Sequence, residues 1–179
     1  MTFASAITLC AQTINIEGVD FPNELSINDE ALLLNGGGLR EKFGFLDLYV
    51  GGLYLTENSD DSNQIIMSSN SMAIRIVISS KLVSRERFIE ALEDGFKNTT
   101  VGKYTSTDIE SFKEYLSDPF ELDDEIILFY SSAEKRTYLY KDTETRGEFY
   151  GLPFKQALFG IWLGDKPAQE SLKKEMLGL

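Results

Sequence analysis

Residues 72–79, MAIRIVIS, alternate with a period of two, and a few positions later the chain changes to a helical period. Met72, Ile74, Ile76 and Ile78 fall on one face of the first segment; Ala73, Arg75, Val77 and Ser79 fall on the other. Its β-branched content and alternation suit a strand. From Ser84, a good helix cap, Phe88, Leu92 and Phe96 share one stripe with Ile89 beside them. Thr107 with Glu110 reads as a capping box, followed by Ile109, Phe112 and Leu116 at helical spacing, and Pro119 stops that helix.

The alternation then repeats. Segments 125–131, 135–141 and 145–150 read as a strand meander with polar turns. Pro153 opens a helix with Phe154, Ala157, Leu158, Ile161 and Trp162 on its buried stripe, and Gly164 closes it. Asp165 and Pro167 open a last helix carrying Leu172, Met176 and Leu177. Near the start, residues 13–16 alternate until Asp20-Phe21-Pro22 breaks the pattern, and 31–35 form an apolar run. Blocks of strands and helices without strict βαβ alternation predict an α+β fold, with one large antiparallel sheet and helices packed on one face.

The 179 residues suit one domain, placed at 12–179. Residues 1–11 read either as the remnant of a secretory leader or as a frayed apolar end. The first reading implies a periplasmic or secreted protein, the second leaves a cytoplasmic one open. Cys10, the one cysteine, excludes an internal disulfide. With no histidine, His-based triads, proton shuttles and metal sites are excluded. Seventeen basic against twenty-nine acidic residues, a net charge of −12, argue against nucleic acid and against anionic membranes. No run of about 18 apolar residues is present to span a bilayer as a helix.

Gly36-Gly37-Gly38 lacks the GK[ST] of a phosphate loop and reads as a turn between strands. The acidic stretches 58–61 and 118–124 lack the calcium-loop pattern and read as solvated loops. No cofactor motif and no metal-ligand set is apparent, so neither is expected.

The chemistry concentrates in 34–55. A four-residue hairpin loop at 43–46 pairs Arg40 with Tyr49, whereas a three-residue loop at 43–45 pairs Arg40 with Leu48 and tends to turn Arg40 and Tyr49 to opposite faces. In the second strand Leu46, Leu48, Val50 and Tyr54 alternate with Asp47, Tyr49, Gly51, Leu53 and Leu55. Both faces are largely apolar, so the strand is expected at the sheet centre. A guanidinium and a phenol emerging there suit a carboxylate or an enolate. The competing reading is a structural ion pair of Arg40 with Asp47 or Glu41. Arg75 either completes a positive cleft or reaches solvent at the sheet edge, and solvent is the expectation.

Four stretches, EGVDFP (17–22), LNGGGLREKFGFLDLYVGGLYL (34–55), LVSRERFIEALEDGF (82–96) and GLPFKQALFGIWLGDKP (151–167), give the chain its resemblance to a known family. It resembles the chalcone isomerase-like family, specifically its bacterial members. The resemblance implies an open-faced β-sandwich with a ligand cleft between sheet and helices. It also implies one of two functions: intramolecular cyclisation of a chalcone, as in the plant enzymes, or non-catalytic binding of fatty acids. Arg40 matches the arginine of both kinds, and Tyr49 the tyrosine of the fatty-acid binders. The tyrosine and asparagine that the plant enzymes carry on a helix fall near Arg87–Phe88 and Asp94–Gly95, where neither residue type is present. The resemblance therefore favours a non-catalytic binder of a lipophilic carboxylate, held by Arg40 and Tyr49. The alternative is an isomerase or intramolecular lyase in which Arg40 stabilises an enolate and Tyr49 positions or protonates it.

Overall fold

The structure, a computed structural model, describes residues 7–9, 12–42 and 46–179, with 7–9, 42, 46 and 47 as backbone only. Most of the 1–11 segment read as a leader, and the hairpin loop itself, lie outside the described residues. Among the described residues ten strands and five helices follow one another. Strands β1 (Ile7–Leu9), β2 (Thr13–Ile16), β3 (Val19–Pro22), β4 (Glu24–Ile27), β5 (Glu30–Lys42) and β6 (Leu46–Leu55) come first. Helix α1 (Ser62–Met67) leads to β7 (Met72–Ile78), then α2 (Arg85–Asn98) and α3 (Ser106–Tyr115). Strands β8 (Glu125–Ser131), β9 (Arg136–Lys141) and β10 (Glu144–Tyr150) precede α4 (Leu152–Leu163) and α5 (Glu170–Met176).

Eight strands form one sheet in the order β1-β4-β5-β6-β7-β8-β9-β10, with every pairing antiparallel. The helices cover one face, where Met72, Ile74, Ile76 and Ile78 of β7 join Phe88, Leu92 and Phe96 of α2 in the larger core. Phe149 of β10 packs against both Phe112 of α3 and Phe154 of α4, with ring centroids 4.5 and 4.4 Å away. Each buried ring of this kind contributes about 2–3 kcal/mol. This is the α+β architecture expected from the sequence.

The opposite face is partly covered as well. Glu17 and Gly18, both at positive φ, turn the chain so that β3 pairs back on β2. Asp20-Phe21-Pro22 therefore continues a strand rather than ending one, and Phe21 enters a second core with Val50, Tyr54, Ala73 and Val77. This cover corrects the expectation for Arg75. Strand β7 lies between β6 and β8, so it has no free edge, and Arg75 is 8% exposed. Its guanidinium pairs with Glu125 at 2.5 Å, donates to the Asp20 carbonyl at 3.1 Å and stacks 4.6 Å from the Phe21 ring centre.

Glycines 36–38 are not a turn either. They lie inside β5 opposite Leu53, Gly52 and Gly51. A Cβ on Gly36 would stand 2.2 Å from the carbonyl oxygen of Glu175, so bare backbone is what lets α5 approach the strand. Beyond Leu33, β5 pairs with no strand on its β4 side among the described residues, and side chains serve part of that edge instead. Gln169 accepts from Glu41 N–H and donates to Leu39 C=O, and the Glu175 carboxylate accepts from Leu39 N–H, while the Asn35 side chain ties the strand to α5 by donating to Met176 C=O.

Helix boundaries moved where two signals competed. The capping box is Thr105 with Asp108, two residues before Thr107, because the Asp108 carboxylate serves the Thr105 N–H at 2.7 Å. The helix ends at Tyr115, ahead of Pro119. The last helix begins at Glu170, not near Asp165, and 164–169 form a connecting loop. Helix α1 escaped the sequence pattern. Asp61 of the acidic stretch caps it, and the fully buried Lys155 of α4 donates to the carbonyls of Ile65, Ile66 and Ser68 at 2.8–2.9 Å. Burial pushes the Lys155 ammonium down to about 8. The other acidic stretch is paired rather than merely solvated: Asp118 meets Arg146, and Asp124 meets Lys141, each at 2.8 Å.

Candidate ligand-binding site

Strands β5 and β6 pair Arg40 with Tyr49, as the longer loop count predicts, yet Glu41 pairs with Asp47 and Lys42 with Leu46, as the shorter one implies. A one-residue bulge at Leu48 reconciles the two. The extra residue re-aims the side chains around it, and Leu48 joins Tyr49 on the helix face instead of alternating away. Arg40 and Tyr49, directly opposite each other, share that face. β6 lies between β5 and β7, as its two apolar faces required.

Both residues line one cavity of about 480 Å³ between the sheet, α2, the end of α4 and the following loop. That is within the range of about 300–1,000 Å³ typical of small-molecule pockets. Tyr49, Val83, Phe88, Leu92 and Trp162 give it a buried apolar floor, and Arg87, Glu90, Asp94, Asn98 and Lys166 stand exposed at its rim. The α2 positions Arg87, Phe88, Asp94 and Gly95 all face it.

The Trp162 indole N–H donates to the Tyr49 hydroxyl at 2.9 Å. Burial pushes the Tyr49 phenol up, opposed by this hydrogen bond and by the charge and hydrogen bonding of Arg40. Indole and guanidinium only donate, so neither can take the phenolic proton. Among the described residues that proton has no acceptor. Arg40 uses Nη1 on the Glu41 carbonyl and on Gln169 Oε1, the latter at 3.0 Å. Apart from Tyr49, Nε and Nη2 meet no acceptor among the described residues. Among the described side chains no carboxylate, Glu41 included, pairs with Arg40; the Asp47 side chain, the other partner of the ion-pair reading, lies outside the described residues. The arrangement thus offers unspent donors and one positive charge beside an apolar cavity.

Sequence reasoning reached Arg40 and Tyr49 but not their supports. Trp162 was legible only as a core residue, although a buried indole N–H always needs an acceptor. Gln169 carried no signal, because its partners are backbone groups far away in the chain.

The model of the family described as "Chalcone isomerase-like" matches residues 12–178. The chain belongs to the chalcone isomerase-like family. A solved structure of a fatty-acid binding protein from Arabidopsis thaliana superimposes on this chalcone isomerase-like chain with a TM-score of 0.70 and 18% identity, covering 96% of each chain. At that identity the likeness is one of fold. Among the curated proteins none matches this member of the family. Among the described residues no group of three or more His, Cys, Asp or Glu side chains could hold a metal ion, and no helix is long and apolar enough to cross a membrane.

Proposed function

We propose that this chalcone isomerase-like protein binds a lipophilic carboxylate such as a fatty acid, with Arg40 and Tyr49 holding the head group. The observation that carries the reading is the convergence of the Arg40 guanidinium and the Tyr49 hydroxyl, both with unspent donor capacity, beside an apolar cavity. A carboxylate brings negative charge and paired acceptor oxygens, which is what such a site lacks. The apolar floor suits an alkyl chain. The fatty-acid binding protein with the same fold supports the same ligand class. On α2, Arg87, Phe88, Asp94 and Gly95 face the cavity, near the places where the resemblance puts the tyrosine and asparagine of the plant cyclases, and the lack of both residue types there favours binding over cyclisation.

Trp162, the single tryptophan, lines the cavity and serves as a fluorescent reporter. Titration with dodecanoate is expected to change its emission and to saturate. Arg40→Ala is expected to weaken binding roughly 10- to 100-fold, the scale of a lost hydrogen bond to a charged group. No saturable binding, or equal affinity in the variant, would overturn the reading.

A further inference from the structure

We infer that Trp162 and Gln169 are positioning residues that set the grip of Arg40 and Tyr49 before a ligand arrives; the inference rests on the ligand reading above. Trp162 lies in the last turn of α4 and takes up one side of the Tyr49 oxygen with its N–H. The hydroxyl proton must then point away from α4. Arg40 cannot receive it, being a donor only. Tyr49 is left as a one-way donor toward whatever acceptor enters the cavity.

Gln169 acts on Arg40 in a corresponding way. Its Oε1 and the Glu41 carbonyl accept from the same guanidinium nitrogen, Nη1. Apart from the hydrogen bond to Tyr49, the donors of Nε and Nη2 have no acceptor among the described residues, and with the Tyr49 hydroxyl beside them they suit the two oxygens of a carboxylate. Gln169 is itself immobilised, because its Oε1 accepts from Glu41 N–H at 2.9 Å and its Nε2 donates to Leu39 C=O at 3.1 Å. Groups fixed in advance lose little freedom when the ligand binds. The two supports come from different elements, α4 and the loop ahead of α5, so each can be removed without the other.

The consequence is selectivity for an ionised acid over a neutral head group of the same chain length. Calorimetric titration of the whole protein with dodecanoate and with 1-dodecanol tests it. The wild-type protein is expected to prefer the acid. Trp162→Phe keeps the ring in the cavity but removes the N–H, and Gln169→Ala removes the hold on Arg40. Each is expected to lose about tenfold of the acid-over-alcohol preference, taken as the ratio of the two affinities within the same variant. An unchanged preference in both variants, or an equal loss for both probes as simple packing damage would give, overturns the inference and leaves carboxylate binding standing. A wild-type protein that binds neither probe overturns the ligand reading and the inference together.

Discussion

The carbonyl oxygen of Glu175 lies 2.2 Å from the point where a Cβ on Gly36 would stand. Helix and strand therefore meet through backbone, and neither can give way by a rotamer change. Gly36→Ala is expected to lift α5 and to cost about 1–3 kcal/mol, the range for an overpacked contact. Urea denaturation monitored by circular dichroism measures it. A variant as stable as the wild type would show that the contact is not tight.

Lys155 is held by three carbonyls at the end of α1. Lys155→Met leaves those acceptors buried without a donor and is expected to cost at least about 2 kcal/mol. The pH dependence has a definite sign. The ordinary lysine value is 10.5 and burial lowers it to about 8 in the fold. Between those values the unfolded chain binds more protons, so wild-type stability should rise with pH across the window and lose that contribution as pH falls through about 8. Measured as the difference between wild type and Lys155→Met, a flat profile from pH 7 to pH 10 would contradict this.

Tyr49 and Tyr54 are buried, and burial raises both phenols above their ordinary value of 10.0. Here the fold keeps its protons longer than the unfolded chain. Their contribution to stability is complete below about pH 10 and is lost as pH climbs above it. Absorbance at 295 nm should show these two ionising late, together with unfolding, and Tyr49→Phe should remove one late ionisation. Ionisation of both near 10 in the intact fold would refute it.

Glu125 neutralises Arg75 on the sheet face away from the cavity. Glu125→Gln leaves a buried guanidinium uncompensated and is expected to destabilise by about 3 kcal/mol. Dodecanoate affinity should not change, since neither residue lines the cavity. Loss of affinity at temperatures where the variant is folded would mean that the two faces communicate.

The central strands, α2 and the stripe of α4 were legible because their periods are regular and their faces are apolar. The errors over the glycines, Arg75 and α1 share one cause, contacts between segments distant in the chain. The three glycines look like a turn until a helix from the far end lies on them. Arg75 looks exposed until the β2–β3 hairpin covers it. Helix α1, six residues long, is too short to show a period, and its stability comes from a lysine about ninety residues away. At the site, pairing arithmetic brought Arg40 and Tyr49 together but could not foresee that a bulge would satisfy both loop lengths.

Gln169 does more than order the anion grip. With Glu175 it occupies the Glu41 N–H, the Leu39 C=O and the Leu39 N–H on the flank of β5, groups that would otherwise be a template for another chain to add a strand. A single proteolytic cut within 164–169 that released α5 would bare that flank and free the Arg40 guanidinium from Gln169 in the same event, leaving a chain prone to stick to its own copies.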